Sequence, residues 1–219
     1  VKVFRKRTPQ AIPQSELSPN TLQPTSGNAT SKIKIVAIGT STGGPQALKL
    51  IFDRLPANFS VPIVCVQHIS HGFLDGLIQW LSNTSGLPIE IALPGITPQP
   101  GKIYFPPEKK HLELNSQGQF VCSDSPPLGG HRPAVDVTFK SVARVYGSNA
   151  IAVLLTGMGK DGAAGMQMIR QAGGLTIAQD RETSIIFGMP KEAIELGAVQ
   201  HILPLPEITP LIIQKSTSI

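Results

Sequence analysis

The sequence predicts an α/β fold: a doubly wound, mostly parallel sheet with helices on both faces and an antiparallel hairpin element. Three observations predict it. Short, β-branched apolar runs recur at residues 33–38, 61–67, 150–155 and 175–178, each nearly continuous, as a strand buried on both faces requires. Between them lie segments with apolar residues at helical spacing. The alternation of the two implies parallel strands joined by crossover helices.

The first strand, 33–38, runs into Gly39-Thr40-Ser41-Thr42-Gly43-Gly44-Pro45. Pro45 suits the first turn of a helix, and Ala47, Leu48, Ile51, Phe52 and Leu55 form one apolar stripe behind it. The second strand ends at Gln67-His68, and Phe73, Leu74, Leu77, Ile78 and Leu81 mark the helix that follows. From Leu87 to about Gly130 the chain is rich in Pro and Gly. Short strand candidates at 102–105, 111–114 and 119–122 are expected there as antiparallel hairpins attached to the main sheet. A helix over 136–146 leads to the strand at 150–155, then to Thr156-Gly157-Met158-Gly159-Lys160-Asp161-Gly162 and a helix ending near Ala172. After the strand at 175–178, a helix over 190–196 has Pro190 at its start and Gly197 just past its end.

Composition excludes several classes. Hydrophobic residues make up 41% of the 219 and charged residues 15%, which suits a globular core. No apolar run approaches the ~20 residues that span a bilayer, and no charged-then-apolar secretory leader opens the chain. The net charge of +5 sits entirely in residues 1–34, which hold Lys2, Arg5, Lys6, Arg7, Lys32 and Lys34 against Glu16. The remainder is neutral, with no basic patch of the kind that reads nucleic acid. Residues 8–31, rich in Pro, Ser, Thr, Gln and Asn, read as a linker. The expected division is therefore a leader over 1–31 and a folded domain over 32–219. Two cysteines are too few for a disulfide scaffold, and Cys65, inside an apolar strand, reads as an inert buried thiol. A reducing cytoplasm fits.

Three residues with hydrolytic chemistry follow strand ends: Ser41, His68 and Asp161. In an open parallel sheet the ligand crevice lies beyond the carboxyl ends of the strands, so the fold can bring all three to one edge. Gly39–Gly43 reads G-x-S-x-G between a strand and a helix, the setting of a nucleophile elbow. A serine hydroxyl needs a base, which His68 can be, and the base needs an orienting carboxylate, which Asp161 can be. The Thr42 N–H, at the elbow, would face a developing oxyanion. The chain order Ser–His–Asp does not match that of the α/β-hydrolases.

Each element also has a plainer reading. A Gly-rich strand-to-helix turn by itself is more often a phosphate or dinucleotide cradle, although Ser41 occupies the second glycine position of a Rossmann fingerprint and no acid follows the second strand. His68 can be structural, or with His71 suggest a metal pair, but no third ligand stands at a recognisable spacing and no metal or cofactor is expected. Asp161 can simply cap the helix that follows it. Arg132 is expected to pair with a helix or loop carboxylate and hold a wall of the site in preference to touching substrate directly, and Met158 and Met189, which could offer soft packing to substrate, are expected in the core.

Five blocks in order, IVAIGTSTGGPQAL, VQHI, HRPAVDVTF, VLLTGMGKDGAAGM and FGMPKEAIELGAV, closely resemble the catalytic domain of the bacterial chemotaxis protein-glutamate methylesterases, over roughly residues 33–203. The resemblance implies that Ser41 is the nucleophile, His68 the base and Asp161 the third member of a triad, and that the Met158 N–H is an oxyanion donor. It implies hydrolysis of glutamyl γ-methyl esters on the cytoplasmic helices of methyl-accepting chemotaxis receptors, with release of methanol and, in related members, deamidation of receptor glutamines. It also implies an N-terminal receiver domain, absent here, that a histidine kinase phosphorylates. Residues 1–31 then read as the trailing edge of that domain and its linker, and the fragment is expected to be active without phosphorylation.

Overall fold

The structure, a computed structural model, describes residues 32–217; the leader expected over 1–31 lies outside them. Seven strands form one parallel sheet: β1 (Ile35–Thr40), β2 (Ile63–Gln67), β3 (Ile89–Ile91), β4 (Ile103–Phe105), β7 (Ala150–Leu154), β8 (Leu175–Gln179) and β9 (His201–Leu203). Their order is β3-β4-β2-β1-β7-β8-β9. From β1 the chain adds β2 and then the edge strand β3, with β4 filling the place between them, before it returns to add β7, β8 and β9 on the other side of β1. β1 and β7 therefore flank the point where the winding reverses, which is where such sheets open a crevice.

β1, β2 and β7 are buried at every position, as their unbroken apolar runs require. Alternate residues of β1 face opposite layers. Val36 and Ile38 pack with the apolar stripes of α1 (Gly44–Asp53), α2 (Leu74–Ser82) and α6 (Leu205–Thr217). Ile35 and Ala37 pack with α3 (Val135–Tyr146), α4 (Ala163–Gln171) and α5 (Met189–Glu195). Phe52, Phe105, Phe120 and Phe139 are among the largest side chains fully removed from solvent, each contributing about 1.5–3 kcal/mol of transfer free energy.

The hairpin β5 (His111–Leu114) with β6 (Phe120–Ser123) is a separate two-stranded antiparallel sheet. It is not attached to the main sheet. It lies against α3, with Leu112, Leu114 and Phe120 in the same core layer. The segment expected as another antiparallel strand at 102–105 is instead the parallel strand β4, paired with β2 and β3. β3, β9 and α6 carried no expectation. Among the described residues no helix is long and apolar enough to cross a membrane.

Candidate active site

Ser41 follows β1 directly and His68 follows β2, and both line one open cleft of about 430 Å3 with Thr42, Ile69 and Phe73. The turn that carries Ser41 needs its glycines. Gly43 stands at the N-terminus of α1 with φ of 83°, in the left-handed region. Three bonds tie the turn to Thr156 at the end of β7. Ser41 N–H donates to the Thr156 carbonyl at 3.0 Å, Thr40 Oγ1 donates to the same oxygen at 2.9 Å, and Thr156 Oγ1 donates to the Thr42 carbonyl at 2.9 Å.

Gln67 ties the same turn to the histidine. Its Nε2 donates to the Ser41 carbonyl at 2.8 Å and to the His68 carbonyl at 2.7 Å. Because both partners accept, the amide can face only one way. Its Oε1 is turned toward Gly44, where an added Cβ would lie 2.0 Å from it. That oxygen, buried without a partner, puts an acceptor over the turn where a phosphate cradle needs donors. The cradle reading fits this turn poorly.

Asp161, 9% exposed, reaches His68 from the loop after β7. Its Oδ2 accepts from His68 Nε2 at 2.8 Å and from Val135 N–H at 2.7 Å, while Oδ1 accepts from Asp136 N–H at 2.9 Å. Val135 and Asp136 open α3, so Asp161 does cap a helix, but it caps α3 and not α4, which follows it. The N-cap position of α3 is Ala134, which has no side-chain acceptor, and the carboxylate arrives from another loop to satisfy those donors. Burial alone would raise its pKa. The His68 hydrogen bond, the two backbone N–H groups and the imidazole's charge outweigh that and hold the carboxyl below its ordinary value. An ionised Asp161 only accepts, so His68 carries its hydrogen on Nε2 and keeps its lone pair on Nδ1. Nδ1 is buried and has no partner, and no hydrogen bond joins it to Ser41.

Around the serine, the N–H groups of Thr42 and Met158 make no hydrogen bond among the described residues. The Met158 loop comes close because position 157 is glycine: a Cβ there would lie 2.8 Å from Ser41 Cβ and 2.3 Å from Met189 Sδ. Met189 is in the core as expected, whereas Met158 is 74% exposed. His71 pairs with Glu108. Cys65 is fully buried, and burial pushes its thiol well up.

Sequence reasoning passed over Gln67 and Thr156, and had no role for His131. The His131 ring lies flat on His68, with centroids 3.8 Å apart and planes 5° from parallel. Burial and the neighbouring His68 push its pKa down, against the opposing pull of Asp161. The one available signal for Asp161's partners was the poor N-cap residue Ala134 at the head of an otherwise well-patterned helix.

Comparison with known proteins turns this geometry into a family. The CheB methylesterase family model matches residues 36–212. The chain belongs to the CheB methylesterase family. Among CheB-family relatives, a protein-glutamate methylesterase/protein-glutamine glutaminase of Nitrosospira multiformis is 45% identical over 83% of this chain and 51% of its own length. One of Syntrophus aciditrophicus is 40% identical over 100% of this chain and 62% of its own length. The crystal structure of the Thermotoga maritima CheB methylesterase catalytic domain matches with a TM-score of 0.81 at 44% identity, covering 84% of this chain and 98% of that one. The chain thus spans between 51% and 62% of the length of these two curated CheB-family relatives, and nearly all of the solved catalytic domain.

Proposed function

We propose that this chain hydrolyses glutamyl γ-methyl esters on the cytoplasmic helices of chemoreceptors through Ser41, His68 and Asp161, releasing methanol and restoring the carboxylate. One observation carries the reading. The His68 ring is fixed by an ionised Asp161 through Nε2, and it lines the same cleft as Ser41. The names of the 40–45% identical relatives support the substrate class and extend it to glutamine deamidation.

In the mechanism this geometry supports, His68 Nδ1 takes the Ser41 proton as Oγ attacks the ester carbonyl. The tetrahedral oxyanion is held by the unpaired N–H groups of Thr42 and Met158, at the positive end of α1. His68 returns the proton to the methoxide oxygen, methanol leaves, and an acyl-Ser41 remains. Water then attacks with His68 again as base, and the glutamate carboxylate is released. Ammonia replaces methanol when the substrate is glutamine. Asp161 orients the ring and stabilises its cation throughout. No step draws on a metal or cofactor.

Membership of the CheB family, with the greater length of the curated relatives, supports a receiver domain joined through residues 1–31 to the domain over 32–219, with a histidine kinase as its phosphodonor and the cytoplasm as its compartment. The domain over 32–219 by itself is active without phosphorylation. The test is incubation with a chemoreceptor fragment carrying radiolabelled methyl esters. Volatile methanol at a rate proportional to enzyme is the expected result; label that stays on the receptor rules the activity out.

A further inference from the structure

A second cavity, of about 100 Å3, lies against the same wall without touching Ser41. Gln67 and Ile69 line both it and the Ser41 cleft, so the two are neighbours across the end of β2. Arg132, the residue after the His131 that stacks on His68, also lines it. A water needs roughly 10–15 Å3 in comparable terms, so the space admits several heavy atoms. Leu74, Phe105 and Pro133 give it apolar walls suited to methylenes.

The charge in this cavity is unbalanced. Glu108 lines it, but its oxygens are taken. Oε1 accepts from Gly72 N–H at 2.7 Å and Leu74 N–H at 3.3 Å, and Oε2 pairs with His71. Burial opposes its ionisation, yet those three partners hold its carboxyl below the ordinary value. Arg132 is in the opposite condition. Its Nη1 donates to the carbonyls of Asp124 at 2.9 Å and Ser125 at 3.1 Å, which pins the guanidinium in place. Among the described residues it forms no ion pair, contrary to the carboxylate partner expected for it. The acid whose charge it feels, Asp124, is itself paired with Lys110 at 2.8 Å. A guanidinium is always charged and presents five N–H donors in a planar fork. Two of the five are used here. Lys109, also on the rim, adds to the positive potential.

We infer that Arg132 and this cavity form a carboxylate-binding subsite that reads an acidic side chain on the substrate protein beside the reacting glutamyl ester. The inference rests on Ser41 acting on a protein ester. The pinned guanidinium offers a preorganised fork, the apolar walls take the side-chain stem, and the substrate supplies the anion that the protein itself does not. Arg132 is then a specificity residue, selecting which ester is presented to Ser41.

The experiment uses two receptor-helix peptides with one glutamyl methyl ester each. One keeps its neighbouring Asp and Glu residues and the other has them changed to Asn and Gln. Binding is measured by calorimetry to the Ser41→Ala protein with Arg132 intact, Arg132→Lys or Arg132→Met, and methanol release by the same Arg132 series with Ser41 present. The acidic peptide should bind the Arg132 protein about tenfold or more tightly than the neutral one. Arg132→Met should abolish that preference, raise KM for the acidic peptide by the same factor and change kcat less than about threefold, with Arg132→Lys retaining part of the preference. Equal affinity for the two peptides, or equal loss on both in Arg132→Met, overturns the subsite. A parent protein that binds by charge but releases no methanol overturns the esterase reading and leaves the subsite standing.

Discussion

His68 gives Nε2 to Asp161 at 2.8 Å, and this leaves Nδ1, buried and unpartnered, as the ring nitrogen that can receive a proton from Ser41. The roles of the two nitrogens follow from Asp161 being ionised and acceptor-only. Asp161→Asn keeps the shape but removes the charge that stabilises the imidazolium and can hold the ring in the wrong tautomer. It should lower kcat by about 10^3–10^4 with little change in KM. Steady-state methanol release decides this, and a loss below tenfold contradicts the role.

The same carboxylate links activity to acid stability. Its pKa is lowered in the folded protein, so its contribution is fully present above the unfolded value near pH 4 and is lost as pH falls through the folded value. The stability advantage of the parent protein over Asp161→Asn should be constant from about pH 5 to 7 and shrink below pH 4. Urea midpoints measured across that range give the test, and an advantage that grows toward acid would contradict it.

Gln67 spans two loops with one amide nitrogen. Gln67→Met preserves volume and removes both bonds, leaving the His68 carbonyl unpaired, whereas the Ser41 carbonyl still accepts from Gly44 N–H. The expected cost is about 1–3 kcal/mol of stability, with kcat reduced about tenfold to a hundredfold because the serine and histidine loops lose register. Gln67→Glu should be worse near neutral pH, since a carboxylate would face two carbonyl oxygens, and should recover on acidification.

His131 supplies a flat surface against His68. His131→Ala should lower kcat about tenfold, and His131→Phe, which keeps a ring there, should restore most of it. The depressed pKa of His131 means it gains its proton at lower pH than an ordinary imidazole does. A cation then stacks on His68 and opposes the imidazolium of the mechanism. The activity of His131→Phe relative to the parent should therefore rise as pH falls below about 6. A pH-independent ratio would reduce His131 to packing.

Most of the layout was legible in the sequence, because β1, β2 and β7 are short apolar runs and the turns that follow them carry Ser41, His68 and Asp161. Ser41 and His68 lie just after β1 and β2 and Asp161 in the loop after β7, with His68 bonded to Asp161 and no hydrogen bond joining it to Ser41. What was not legible is what arises from partners distant in the chain. Nothing local distinguishes the parallel strand β4 from a hairpin strand, since its pairing is decided by β2 and β3. β3 is three half-buried residues, too short to carry a period. α6 holds Pro206 and Pro210, which read as helix breakers, yet Ile208 and Ile212 bury one of its faces. Arg132 was expected to pair with a carboxylate, but a half-buried guanidinium needs acceptors of any kind. The carbonyls of Asp124 and Ser125, brought to it by loop geometry, meet that need.

The central claim is that Ser41 attacks the methyl ester of a protein glutamate. Its most direct test is the rate of methanol release from a methylated chemoreceptor fragment by the parent chain and by Ser41→Ala at equal folded concentration. The parent should turn over, and Ser41→Ala should be slower by about 10^3 or more. Undiminished release by Ser41→Ala would contradict the account.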